Sequence, residues 1–334
     1  METLESMILL HTQEVRGSSP CAPTINLLST CLLCLNSGSC ICGLAGCLWS
    51  GSGAQPMETK VISPPGYITR LQSAKIKICR RRECYCSSMK PALRGRIVFG
   101  ASAVLFGVIA LMWHDADTWQ TLRQIWSLPF GAILGECLMI GQIAGGIGMQ
   151  YSKTAHLASI VLIVVYSLFS LACIPSIITA PAIYEHYGSF FEQFALLCGA
   201  IALYATTEVN GARTVLFGRM ARLGLGVCAV SFTLSQIIYL PATAGLVPKW
   251  IPPNQTFWAI FTTIAFALAA IAILINRQAR QAIRLMTLML AFFGGLVWIP
   301  RLIAHPEVHF NWSEFALTLL IAGASWMVAD LRPF

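Results

Sequence analysis

Charge is what this chain has least of. Its 334 residues include only 14 acidic and 22 basic side chains, 11% in all, where a soluble globular domain carries about 25%. Long uncharged stretches make the shortage sharper. Residues 250–276, 154–184 and 223–248 form runs of 27, 31 and 26 residues without one Asp, Glu, Lys or Arg. A soluble helix of that length needs a polar face. A bilayer-spanning helix needs about 20 predominantly apolar residues. These gaps exclude an ordinary cytosolic enzyme and imply a polytopic membrane protein.

Catalytic signatures are missing too. The chain has no nucleophile elbow, no Walker loop and no dinucleotide fingerprint. No enzyme class, catalytic residue, cofactor or metal is assigned. A net charge of +8 does not imply nucleic acid, because no basic stripe is interleaved with aromatics on a soluble surface.

Composition divides the chain. Residues 1–88 hold nine of the thirteen Cys and eight of the twenty-two basic residues, with much Ser, Gly and Pro. The pair Cys31 and Cys34 has CxxC spacing, but a metal site needs a second pair and a folded frame. A signal peptide does not fit, since the basic n-region and the small-residue cleavage site are both missing. Glu14 to Thr24, with Gly17-Ser18-Ser19-Pro20 inside it, reads like a translated transfer-RNA gene. The expectation is a disordered or spurious extension over 1–88, with the true start at Met89.

From Met89 onward, apolar segments lie near 97–113, 130–149, 156–179, 189–207, 223–241, 256–276, 282–299 and 314–330. The fold expected is all-α, a transmembrane bundle of eight spans. Glycines at 131, 135, 141, 145, 146 and 148 would oppose a helix in water, whereas in lipid they let neighbours approach. The small-xxx-small spacing of Gly141 and Gly145 is read as packing within the chain. Cys137, Cys173, Cys198 and Cys228 read as small hydrophobes.

Basic residues sort by side. Lys90, Arg94, Arg96, Lys153, Arg213, Arg219, Arg222, Arg277, Arg280, Arg284 and Arg332 fall on the side of the termini, against Arg123, Lys249 and Arg301 on the other. The positive-inside rule makes the termini cytoplasmic. The tryptophans Trp113, Trp119, Trp126, Trp250, Trp258 and Trp312 gather at the opposite boundary, as an aromatic belt would.

Landmarks recur. Trp126-Ser127-Leu128-Pro129 returns as Trp250-Ile251-Pro252-Pro253, and Lys153 returns as Arg277, both at an offset of 124. Cys173-Ile174-Pro175 returns as Trp298-Ile299-Pro300 at 125, and Phe194-Ala195-Leu196 as Phe315-Ala316-Leu317 at 121. Gly95-Arg96 aligns with Gly218-Arg219. The reading is two parallel four-helix repeats, 89–210 and 211–334, related about an axis near the membrane normal. Pro175 and Pro300 should kink or end the third helix of each half.

The landmarks over residues 94–332 resemble the DoxX-like family of small four-helix bacterial membrane proteins, here in tandem. Those that carry the likeness are Trp113-His114-Asp115, Trp119 and the Trp126–Pro129 turn in the first half. In the second they are Val247–Pro253, Phe257-Trp258-Ala259, Ile299-Pro300-Arg301 and Asn311-Trp312-Ser313-Glu314. The resemblance implies a four-helix membrane bundle per unit and the inner membrane of a bacterium. The founding member is associated with a thiosulfate:quinone oxidoreductase. Similar proteins often carry a His in the second helix, but residues 262–266 here have none, so no haem-ligating pair is carried over.

Polar candidates are few. Glu136 and Gln142 lie inside the second span, where an ionisable group faces the bundle interior and is a functional hypothesis by default. Glu136 is read either as part of a ligand or proton path or as a group bonded to Ser, Thr or Tyr of a neighbouring helix, with Tyr166, Gln236 and Tyr239 as candidate donors. Glu192 and Glu314 are expected in the first turns of the fourth and eighth helices, favoured there by the helix dipole or forming an outward-facing polar site. Asn311 or Ser313 would cap the eighth helix, and Arg301 would pair with Glu314. His114, Asp115, Asp117, His186, His305, Glu307 and His309 lie in outer loops. Pro306 argues against one helical face for His305 and His309.

The first reading is a DoxX-like integral membrane protein of unassigned activity; the alternatives are a small-molecule or proton-coupled carrier, a membrane subunit of a quinone-linked oxidoreductase, and an assembly partner without turnover. The partners implied are the lipid bilayer and either another membrane protein or further copies of this chain.

Overall fold

Apolar stretches with few breakers leave the backbone one way to satisfy its N–H and C=O groups in lipid, the helix. The computed structural model describes residues 91–113 and 120–331, and every regular element in them is helical. The readings placed on residues 1–88, on His114, Asp115, Asp117 and on Trp119 lie outside the described residues.

In chain order the elements are α1 (Pro91–Trp113), α2 (Gln120–Trp126), α3 (Gly131–Gly148), α4 (Ala155–Ala172), α5 (Ile174–Thr179), α6 (Tyr184–Thr207), α7 (Gly211–Ile238), α8 (Leu240–Leu246), α9 (Gln255–Leu274), α10 (Ala279–Phe293), a π-helical turn (Gly294–Trp298), α11 (Ile299–Ala304) and α12 (His309–Ala329). Eight segments are long and apolar enough to cross a membrane: α1, α3, α4 with α5, α6, α7, α9, α10 through α11, and α12. The chain is an all-α multi-pass membrane protein.

Local chemistry sets the ends. Asn210 accepts from Ala212 N at 3.0 Å to cap α7, and Asn254 accepts from Phe257 N at 2.8 Å to cap α9. Pro175, Pro241 and Pro300 stand in the first turns of α5, α8 and α11, where a missing N–H costs nothing. The third span therefore breaks at Cys173, and the seventh changes pitch just before Pro300. In the α6–α7 loop the Glu208 carboxylate accepts from Val209 N and Asn210 N at 3.1 Å and from Tyr204 OH at 2.9 Å. The Asn210 backbone N–H, then the Tyr204 hydroxyl, hold its carboxyl below the usual range.

Packing is regular. α1 packs on α3, α3 on α4 and α4 on α6; α7 packs on α9, α9 on α10 and α10 on α12. α6 meets α7, α12 meets α1, and α6 meets α12 in the middle. Glycines permit the closest approaches: a Cβ on Gly323 of α12 would lie 2.6 Å from the Phe99 Cα of α1, and one on Gly199 of α6 would lie 2.5 Å from the Ala324 Cβ. Gly141 and Gly145 face Val165 and Leu162 of α4, so this small-residue pair serves packing inside the chain. Large apolar side chains such as Phe130, Ile133, Leu157, Leu268 and Leu285 remain exposed, as a lipid-facing surface allows.

Two arginines bind neighbouring spans at the end of the bundle where α1 begins. Arg96 Nε of α1 donates to the Met149 carbonyl at 2.9 Å, just past α3. Arg222 of α7 donates to the Ile273 carbonyl in the last turn of α9. Arg222 is buried, whereas Arg219 one turn earlier is exposed.

Candidate functional site

α6 packs on α12, and α12 is the most buried of the eight spans. Each carries a glutamate in its first half. Glu192 comes eight residues after the start of α6 and Glu314 five after the start of α12. These separations are about 12 and 7.5 Å along the axis. The expectation of first-turn carboxylates is corrected: the helices begin earlier, and both groups sit below their first turn, half-buried. Glu192 lies in electrostatic range of Glu314 and Glu185. Among the described residues, neither Glu192 nor Glu314 forms an ion pair or hydrogen bond. Taking a carboxylate from water without a partner costs several kcal/mol.

Glu192 borders a cavity of about 260 Å³. α7 contributes Phe232, Ser235 and Gln236 to its wall, and α8 contributes Thr243. Thr262 and Phe266 come from α9, and Phe293 closes α10 against it. The π-helical turn supplies Val297 and Trp298, and α12 supplies Thr318. The polar groups are organised: Gln236 Oε1 accepts from Thr263 Oγ1 at 3.0 Å, and Trp298 Nε1 donates to Thr318 Oγ1 at 3.1 Å. Phe232 and Phe266 meet edge to face at 5.8 Å. The interior between α1, α3 and α4 is filled instead, with Phe99, Tyr166, Phe169 and Leu162 fully buried.

The other candidates fall elsewhere. Glu136 is exposed on α3, so the expectation that it faces the bundle interior is corrected. Its candidate donors have other surroundings. Tyr166 is enclosed beside Phe99 and Phe169, Gln236 bonds the α9 threonines, and the Tyr239 hydroxyl accepts from Glu185 N at 3.2 Å. Gln142 is buried, and its Nε2 donates to the Ala103 carbonyl at 3.0 Å, which makes it a cross-link between α3 and α1. Arg301 does not pair with Glu314. Its guanidinium lies 5.4 Å from the centre of the Trp298 ring, a cation–π contact. Neither Asn311 nor Ser313 caps α12, whose N-cap is Val308; Asn311 Nδ2 instead reaches back to the His305 carbonyl at 3.5 Å.

The histidines at the turn between α11 and α12 have separate partners. His305 Nδ1 is 3.4 Å from Glu307 Oε1, while His309 stacks on Trp113 at 4.5 Å between ring centres. Trp258 and Trp312 share a device: each indole N–H donates to a proline carbonyl six residues earlier, Pro252 at 2.8 Å and Pro306 at 2.9 Å.

Sequence reasoning missed the cavity wall. Ser235, Gln236, Thr262 and Thr318 are single polar residues in apolar spans, and only their shared face marks them. The Gly294-Gly295 pair ahead of Pro300 was a further signal. No protein-family model matches the chain, and neither a curated protein nor a solved structure matches it.

Proposed function

We propose that the protein is a proton-coupled membrane carrier of small organic cations, built from two DoxX-like four-helix units, with Glu192 as its ionisable group. The observation that carries the reading is the cavity beside Glu192, whose carboxylate has no cationic partner among the described residues. Such a group is stable when it holds a proton or when a cation lies against it. One site that accepts either, but not both, exchanges them. Phe232, Phe266, Phe293 and Trp298 add ring faces that attract an organic cation.

Three observations support the repeat. The contacts α1–α3–α4–α6 follow the same order as α7–α9–α10–α12. Ala180 and His305, which end α5 and α11, have backbone angles of −138° and 67° against −138° and 68°. Arg96 and Arg222 bind the same place on the next span. At the offset of 124, Tyr166 and Phe169 stand where Leu290 and Phe293 line the cavity. The first unit is filled and the second is open. With the basic ends of the spans in the cytoplasm, the cavity lies in the outer half of the bilayer.

The test uses the protein in phosphatidylcholine vesicles loaded with a pH-sensitive dye. An inward gradient of tetraethylammonium should drive protons out through the wild type, and Glu192→Gln should abolish that flux while eluting as the same folded species. Equal flux in both, or none in the wild type, rejects the reading.

A further inference from the structure

The cavity beside Glu192 has a larger neighbour. Between α9 and α10 runs a second, larger space of about 720 Å³. Val247, Thr262, Phe293 and Val297 border both spaces, so the two adjoin with only these side chains between them. The groove is apolar apart from Thr262 and, at one end, Gln278 and Gln281. It follows α9 from Trp258 to Ala272, fourteen residues or about 21 Å. One leaflet of hydrocarbon is about 15 Å thick. Its α9 wall is kept low by Ala265, Ala269 and Ala272, and it borders exposed Leu268, Leu285 and Leu288 on the lipid-facing surface.

A compact, water-borne cation has no use for such a groove, and a purely apolar molecule has none for the carboxylates at its end. We infer that the ligand is an amphiphilic organic cation, an amine or quaternary ammonium on a long aliphatic chain, which enters sideways from the bilayer with its tail between α9 and α10 and its head beside Glu192. The inference rests on the cation-carrier reading and adds the ligand's shape and its route. Charge complementarity selects the head. Glu192 lies in range of Glu314 and Glu185, and no described basic residue pairs with Glu192. An anionic head would be repelled there. The π-helical turn belongs to the same device. It places Leu296 and Val297 in the groove and Val297 and Trp298 in the cavity, at the junction of the two, and such turns recur at functional sites.

The rival occupant is an ordinary annular phospholipid whose tail fills the groove without head-group recognition. The experiment separates them in phosphatidylcholine vesicles. Dodecyltrimethylammonium and dodecyl sulfate, each with a diazirine at the chain end, are photolysed with the wild type, and the labelled peptides are mapped. The inference expects the cationic probe to label residues 258–272 and 282–297 in preference to the other spans. Glu192→Gln should weaken that labelling about tenfold, the value of one charge-assisted contact. Ala265→Phe should abolish it. Should that variant fail to fold, Leu268→Trp serves, since its side chain is 63% exposed and accepts bulk without repacking.

Equal labelling by the sulfate probe, or labelling spread over all spans, means annular lipid only and overturns the inference. Tetraethylammonium isolates the underlying reading, because it has no tail. If it stabilises the wild type against heat but not Glu192→Gln, while the amphiphile shows no preference for the groove, the cation site stands and the lateral route falls. If neither cation acts, both fall.

Discussion

The side-chain amide of Gln142 in α3 donates to the backbone carbonyl of Ala103 in α1 across 3.0 Å, in a place that excludes water. The hydrogen bond joins two spans that are also tied by Arg96 to the Met149 carbonyl and brought close by glycines. Bonds of this kind within membranes average about 0.6 kcal/mol. Gln142→Leu should therefore lower the melting temperature of the purified protein only slightly and leave cation-driven proton flux intact. Loss of flux in a well-folded Gln142→Leu protein would return this residue to the functional site.

Glu136 is exposed on the same helix, away from the cavity wall. Glu136→Gln should leave both proton flux and its dependence on tetraethylammonium within error of wild type. A flux reduced as far as in Glu192→Gln would show that α3 contributes to the pathway.

Gly323 faces the Phe99 backbone so closely that an added Cβ would sit 2.6 Å away. Backbone cannot yield as a flexible side chain can. Gly323→Ala should destabilise by about 1–3 kcal/mol, the usual range for overpacking. Gly211→Ala, with nothing within 4 Å of the added atom, is the control and should be nearly neutral. Thermal unfolding in one detergent compares them.

Asp330 follows the last turn of α12, outside the span. Burial raises its carboxyl to about 6, against the pull of Arg284, the Gly95 N–H, Arg280 and Arg94. Its Oδ2 meets no hydrogen-bond partner among the described residues. A carboxyl raised on folding binds its proton more tightly in the folded state. Its contribution is full below the unfolded value of about 3.9 and is lost as pH rises through about 6. Asp330→Asn should thus gain thermal stability over wild type at pH 7.5, and the gain should vanish near pH 4. A loss at pH 7.5 would mean that the arginines outweigh burial.

Orientation is open to a direct check. A cytoplasmic reporter fused after Val209, in the loop that ends α6, should be active, and the same reporter after Glu307 should be silent. The opposite pattern would invert the assignment drawn from the basic residues.

Much of the architecture was legible because lipid simplifies the code. Uncharged runs such as 154–184 and 250–276 mark spans directly, and α4–α5 and α9 lie inside them. The ends of α6 and α12 were harder. Glu192 and Glu314 seemed to mark where helices begin, since a charge in a span is costly, yet Tyr184 and His309 begin them. Arg301 was assigned a carboxylate on the strength of charge alone, whereas the Trp298 ring lies nearer. The cavity could not be read, because it depends on how far α9 and α10 stand apart, and no local pattern records a gap. One trace was present. The offset between the halves rises from 124 at Lys153 and Arg277 to 125 at Pro175 and Pro300. If the proposed repeat holds, one extra residue in the third helix of its second half is what a π-helical turn absorbs, and that turn lies at Gly294–Trp298, between the two landmarks.

The meeting of α1 with α12 has a bearing on biogenesis. The ring of spans joins its earliest described member to its latest, with Phe99 pressed against Gly323. During synthesis α1 enters the bilayer long before α12 exists, and until then its glycine-backed face is met only by lipid. Completion of the fold waits for the final span to leave the ribosome. A nascent chain halted after α10 would present bare faces on α1, α6 and α10 at once, and these are the surfaces that membrane quality-control factors would encounter.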